Sequence, residues 1–309
     1  MARFNNLKEN SIFETNIADF LRFVQSKKRQ AQQKGGIGSD ILNLILKGVE
    51  TGQEEFKPGE IIKTPEEAET IVKIKSELSP VEGNLKVEGL SGTQKKNAEI
   101  VLEALNKFGI VNPLTQKAIL AVIGKESGFI PQNEVSYANT SNERIRQIFG
   151  KRVSGLSDQE LTDLKRNENA FWDKVYGGRY GNDRKGEGSK YRGRGLNQLT
   201  FKGNYKKYNR LLQENGVNVD IVANPDRLND IEVAAQVNAL YFLDGLTNRA
   251  SKKKFGNDDP NDFTSFDKAL GAAVNANAGW GKDTYGGTEY KKALAYAGKF
   301  DVEDLKTMA

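Results

Sequence analysis

From residue 92 to about residue 297 apolar side chains recur at helical spacing and rarely alternate, and this periodicity constrains the chain more than any other feature. Ala98, Val101, Leu102, Leu105 and Phe108 share one helical face, and Gly109 supplies a left-handed stop. Pro113 and Leu114 then open a second helix, TQKAILAVIGKE, which carries Glu126 near its end. Helix-length patterns return at 141–149, 157–175, 202–214, 231–243 and 288–297, while strand-like alternation is scarce. The expected fold class is mainly α. Between these patterns lies VYGGRYGNDRKGEGSKYRGRG, residues 175–195, glycine-rich and basic, too irregular for a helix and too long for a tight turn.

The first 90 residues read as a separate helical region. Ile17, Phe20, Leu21 and Val24 form one face of an amphipathic helix, Asp40 opens a second with Ile41, Leu42, Leu44 and Ile45, and TPEE at 64–67 starts a third that runs to about Leu78. SPVEGNLKVEGLSG, residues 79–92, has no helical period and reads as a linker or short extended segment. The expected division is a helical N-terminal region over 1–90, for attachment or packing, and a catalytic domain over 91–309.

Composition narrows the chemistry. The 309 residues include no cysteine and no histidine, which excludes disulfides, thiolate metal sites, Cys-His and Ser-His-Asp catalysis and the usual zinc ligands. Acid–base work falls to carboxylates, lysine or tyrosine, and no metal or cofactor is expected. A net charge of +5 is mild and does not choose between an acidic polymer and an ordinary solvated surface. The N-terminus MARFNNLKENSIFE lacks the basic start and apolar run of a secretory signal, and no stretch approaches ~18 uninterrupted apolar residues. The expectation is synthesis in a cytoplasm without a signal peptide, and no membrane span.

Glu126 follows the apolar run AILAVIG, and Glu134 lies beyond it in the polar run NEVSYANTSNE. Inverting glycoside hydrolysis needs one protonated carboxyl and one carboxylate about 6.5–9.5 Å apart, with room for water between. A helix end and the following loop can provide that spacing. On this reading Glu126, at the margin of a buried helix, has its pKa raised by partial desolvation, and Glu134 stays ionised as the base. Glutamates are equally common on ordinary helix surfaces, so the spacing alone leaves both readings open. In KYRGRGLNQLTFKGNYKKYN, residues 190–209, Gly193 and Gly195 allow a close or strained backbone, and Gln198, Thr200 and Asn204 can hydrogen-bond water or sugar hydroxyls. Tyr191, Tyr205 and Tyr208 can stack on sugar rings, while the RGRG run and its lysines leave a phosphate-contacting alternative.

The runs VLEALNKFGIVNPLTQKAILAVIGKESGF, NEVSY, FWDKVYGGRYGN, KYRGRGLNQLTFKGNY and ANPDRL, in this order over about 91–295, resemble the family 19 glycoside hydrolases, the chitinase family, particularly its phage and endolysin-like branch. The resemblance implies a lysozyme-like helical fold with a sugar cleft and inverting cleavage of a β-1,4 bond beside N-acetylglucosamine. It implies Glu126 as general acid, Glu134 as general base, Thr200 as the hydroxyl that holds the attacking water, and Tyr137, Gln198, Asn204 and Asn275 as substrate-contacting residues. Two departures stand out. Lys125 occupies the place of the usual histidine, which suits an acid if its side chain points away across the helix end, and one glycine follows ES where the family has two.

The expected function is therefore a peptidoglycan-degrading glycosidase, an endolysin or virion-associated lysin that acts at the bacterial cell wall. Chitin hydrolysis, a one-glutamate lytic transglycosylase and an inactive wall-binding virion protein remain as alternatives. The expected partners are wall glycan and, through residues 1–90, a phage tail or other virion protein; nucleic acid is not expected.

Overall fold

The computed structural model describes residues 81–279 and 286–307. The three helices expected between residues 16 and 78 lie outside the described residues. Within them the protein is mainly α-helical, with a single two-stranded sheet.

The chain enters along β1 (Val81–Val87) and continues through α1 (Gly92–Lys107) and α2 (Pro113–Ser127). There follow α3 (Asn142–Phe149), α4 (Asp158–Arg166), α5 (Glu168–Tyr176), the one-turn α6 (Glu187–Lys190) and α7 (Lys202–Glu214). It finishes with α8 (Ile231–Leu246), α9 (Arg249–Phe255), α10 (Phe266–Ala278), α11 (Thr288–Ala297) and β2 (Phe300–Thr307).

The axis of the core is α2. Asn112 caps it, accepting from the amides of Leu114 and Thr115, and Pro113 sits at the first helical position, where a missing N–H costs nothing. From Pro113 to Gly124 every residue except Lys117 is buried, because α1, α10, α11 and both strands pack around this helix. Gly124 permits the tightest approach: a Cβ there would lie 2.1 Å from the ring of Tyr296 on α11. Gly128, at φ 58°, ends the helix. A second apolar cluster joins Ile145 and Phe149 of α3, Leu161 of α4, and Phe171, Trp172, Val175 and Tyr176 of α5 with Phe201.

Three sequence expectations change in detail. Residues 79–92 contain strand β1, antiparallel to β2 with Val87 opposite Phe300 and Leu85 opposite Val302, so the segment is part of the fold that contains α1 to α11. The irregularity at Glu82/Asn84, beside Gly83, interrupts the alternation that would have announced a strand. The pattern at 157–175 resolves into α4 and α5, because Asn167 leaves helical geometry and its side chain caps the second helix through the Ala170 amide. The region 175–195 holds the short α6 rather than being wholly irregular. Among the described residues no helix is long and apolar enough to cross a membrane.

Candidate active site

Glu126 occupies the last turn of α2, and the loop after it is fixed at several points. Phe129 is fully buried in left-handed backbone (φ 63°), and its carbonyl accepts from the side chain of Asn97. The Gln132 carbonyl accepts from the Gly195 amide and the Gln198 side chain, both at 3.0 Å. The Glu134 amide donates to the Gly193 carbonyl at 2.8 Å. The two glutamates thus sit at the ends of a segment held by α1 on one side and by the RGRGLNQLT block on the other.

That block forms a tight hairpin, with Arg194 and Leu199 bonded reciprocally through their backbones. Gly195 turns at φ 79°. Gly193 serves close approach: a Cβ on it would lie 2.8 Å from Gln198 Oε1 and 3.0 Å from Glu134 Oε2. Any side chain at 193 would therefore push into both groups. Gln198 itself adopts φ 55°, an uncommon conformation for a non-glycine and one that concentrates at functional sites. Thr200 Oγ1 donates to the Gln198 carbonyl at 2.8 Å, and the Asn204 side chain donates to the Thr200 carbonyl at 2.8 Å. Glu134, Gln198, Thr200 and Asn204 are thereby brought into one connected constellation.

The Tyr176 hydroxyl donates to Glu134, lying 2.9 and 3.0 Å from its two carboxyl oxygens, and the Gly193 amide adds a bond of 3.2 Å. Burial pushes the Glu134 carboxyl above its ordinary range; Tyr176, Gly193 and the nearby Arg192 charge pull it down, and burial prevails. Burial, and then the Glu134 charge, also hold the Tyr176 phenol well above its ordinary value, so it remains a donor. Half-buried Tyr137 packs against Phe149, Phe171 and Trp172, with its phenol raised by burial first and by Glu134 second.

Glu126 has different surroundings from those expected. Its side chain is 35% exposed, and Lys125, instead of pointing away, approaches Glu126 Oε1 at 2.5 Å and Glu289 Oε2 of α11 at 2.6 Å. Burial pulls the Lys125 ammonium down, but its hydrogen bonds to Glu126 and Glu289 outweigh burial and leave it above the ordinary lysine value. The carboxylate expected at the margin of a buried helix is therefore exposed and ion-paired. A second contact comes from Asn277, whose side chain donates to Glu126 Oε1 at 2.7 Å.

Asn275, expected in the cleft, is fully buried and accepts from Lys254. The asparagine of α10 that reaches a candidate catalytic group is Asn277, two residues further on. Tyr191, Tyr205 and Tyr208 are also buried and cannot stack on sugar; Tyr191 and Tyr205 pack edge to face. Nor does Arg194 offer itself to phosphate, because it is 5% exposed and paired with Asp226 of ANPDRL. Sequence reasoning did not single out Tyr176, though it lies in the FWDKVYGGRYGN block, or Asn277; they lie 42 and 151 positions from their partners.

Two carboxylates on fixed but unlike supports, one desolvated and held by donors and the other ion-paired at a helix end, can divide acid and base roles between them. No protein-family model matches the chain. Over 127 residues it is 32% identical to a curated Haemophilus influenzae protein described as a glycosyl hydrolase family 19 domain-containing protein. The match covers 40% of this chain and 60% of that protein.

Proposed function

We propose that the protein is a glycoside hydrolase related to family 19 that cleaves β-1,4 bonds beside N-acetylglucosamine in peptidoglycan by single displacement. The observation that carries this reading is Glu134, a desolvated carboxylate held by Tyr176 and the Gly193 amide beside Gln198, whose carbonyl accepts from Thr200. The similarity to the Haemophilus influenzae protein supports it. In the proposed reaction Glu134 takes a proton from water, whose oxygen attacks the anomeric carbon, while Glu126 delivers a proton to the departing glycosidic oxygen. A raised pKa makes Glu134 a stronger base than an ordinary carboxylate, and its donors favour the ionised form that a base requires. The Thr200 hydroxyl, which spends its proton on the Gln198 carbonyl, keeps lone pairs to accept from that water. Asn277 and Lys125 hold the Glu126 carboxyl in place.

In its biological setting we propose an endolysin or virion-associated lysin, with the residues before β1 as the attachment region. A chain free of cysteine suits folding in a reducing cytoplasm. The test is turbidity reduction on purified peptidoglycan and on colloidal chitin with wild type, Glu126→Gln and Glu134→Gln. Both substitutions are expected to lower peptidoglycan turnover by at least about 100-fold while glycan binding persists; full activity in Glu126→Gln would remove the acid from the mechanism. Mass spectrometry of the products is expected to find reducing ends, and a 1,6-anhydro sugar would replace hydrolysis with transglycosylation.

A further inference from the structure

Near Tyr176 stands a cation that the proposed reaction does not use. Arg179 lies in the turn after α5, its guanidinium carbon 5.3 Å from the Tyr180 ring centre and 5.2 Å from that of Phe201. Those two rings pack edge to face at 4.8 Å, and Phe201 in turn packs edge to face on Tyr176 at 5.2 Å. One ring therefore separates Arg179 from the tyrosine that holds Glu134.

The turn is built to present it. Asn182 is fully buried; its side chain donates to the Tyr176 carbonyl and accepts from the Lys202 amide, while its own amide donates to the Arg179 carbonyl. The Tyr180 carbonyl accepts from the Gly203 amide, and Tyr180 adopts left-handed backbone (φ 45°) with its ring 43% exposed. A second guanidinium, Arg152 at the end of the 3-10 turn after α3, lies close enough that Arg179, after burial, lowers its pKa. Arginine ion pairs among the described residues involve Arg146, Arg166, Arg192, Arg194, Arg210 and Arg227, and neither Arg152 nor Arg179 is among them. Two guanidiniums near each other, neither in an ion pair among the described residues, make a local cationic patch that suits an anionic ligand.

We propose that Arg179, stacked on Tyr180 and Phe201 and supported by Arg152, is a subsite that binds a carboxylate carried by the glycan, next to the bond attended by Glu134. The inference rests on the glycosidase reading and sharpens it. Chitin is neutral along its length, whereas the muramic residues of peptidoglycan carry a lactyl group that ends either in a free carboxylate or in a stem peptide with its own carboxylates. A planar guanidinium backed by rings suits a bidentate carboxylate. The subsite thus selects the acidic glycan over the neutral one.

The experiment compares wild type, Arg179→Gln and Arg152→Gln on four substrates: glycan strands with stem peptides, strands stripped to the free lactyl group, peptide-bearing strands with carboxylates amidated by carbodiimide, and a neutral chitooligosaccharide. Arg179→Gln is expected to lose about tenfold in kcat/KM on strands with free carboxylates, from loss of a charge-assisted bond, and to match wild type on the amidated and neutral substrates. Wild type is expected to lose a similar factor when its substrate is amidated, an arm that needs no variant to fold. Which charged strand shows the loss identifies the lactyl or the peptide carboxylate as the ligand. Equal losses on charged and neutral substrates, or no loss on either, would overturn the subsite and leave Arg179 as structural packing. Binding of a soluble muropeptide and its amidated form to wild type and Arg179→Gln, followed by calorimetry, decides the point without turnover. If wild type cuts no glycan the hydrolase reading falls, and a preference for the free carboxylate that Arg179→Gln abolishes still upholds the subsite; its absence sinks it.

Discussion

Tyr176 hydrogen-bonds Glu134 through its hydroxyl, so Tyr176→Phe removes a donor while leaving the ring in the cluster with Trp172 and Phe201. Donation to the ionised form lowers the Glu134 pKa, so its loss raises a value that burial already holds high. A base works only when ionised, and the acidic limb of kcat/KM is expected to move upward in Tyr176→Phe. Activity should therefore fall more at about pH 5 than at about pH 8, which a pH–rate profile on soluble glycan strands checks; an unmoved limb would detach Tyr176 from the base. Glu126 and Glu134 stood out as candidates because carboxylates were the chain's main remaining acid–base groups and stood in recognisable blocks. Their surroundings were not. Lys125 looked free to turn away because Glu289, which holds it, lies 164 positions on. Tyr191, Tyr205 and Tyr208 were misjudged because a tyrosine can serve core or cleft, and local sequence does not record which side of the chain is covered.

Helices α1, α2, α3, α7 and α11 were legible from period and punctuation, since each has an apolar face bounded by a cap, a proline or a glycine. Helix α10 was not, because LGAAVNANA is small and apolar nearly all round and shows no preferred face; it is buried from Ala269 to Ala276. Gly124 shows how such close packing is achieved. A glycine inside a helix costs roughly 0.5–1 kcal/mol relative to alanine, so alanine would stabilise α2 if space allowed. Space does not allow it, because a Cβ would meet the Tyr296 ring at 2.1 Å. Gly124→Ala is expected to destabilise the protein by about 1–3 kcal/mol through overpacking, measured by urea unfolding. In Gly124→Ala/Tyr296→Leu the clash is removed, and much of the loss should return; additive losses would mean that the contact does not govern the approach of α2 and α11.

Across the described molecule the least legible feature, the pairing of β1 with β2, bears directly on the site. The strands are separated by 11 helices, and Gly83 breaks the alternation of the first, so neither announces its partner. Their junction is close: the Gly89 amide donates to the Lys299 carbonyl at 3.0 Å. Phe300 opens β2 and packs edge to face on Phe129 at 6.0 Å, with Tyr296 completing the group. Phe129 follows Glu126 by three residues and anchors the loop to Glu134, so the C-terminal strand braces the segment between the two candidate catalytic carboxylates. Phe300 is 2% exposed, and Phe300→Ala is expected to cost about 3–5 kcal/mol, which corresponds to roughly 10 °C in Tm for a domain of this size. Leu305 on the same strand is 47% exposed, and Leu305→Ala should change stability by no more than about 0.5 kcal/mol. The bracing role adds a further expectation: at a temperature where circular dichroism shows both variants folded, Phe300→Ala should turn over glycan more slowly with little change in KM, while Leu305→Ala should match wild type. A Phe300→Ala enzyme that is less stable but equally fast would confine the strand to stability and separate it from the placement of Glu126 and Glu134.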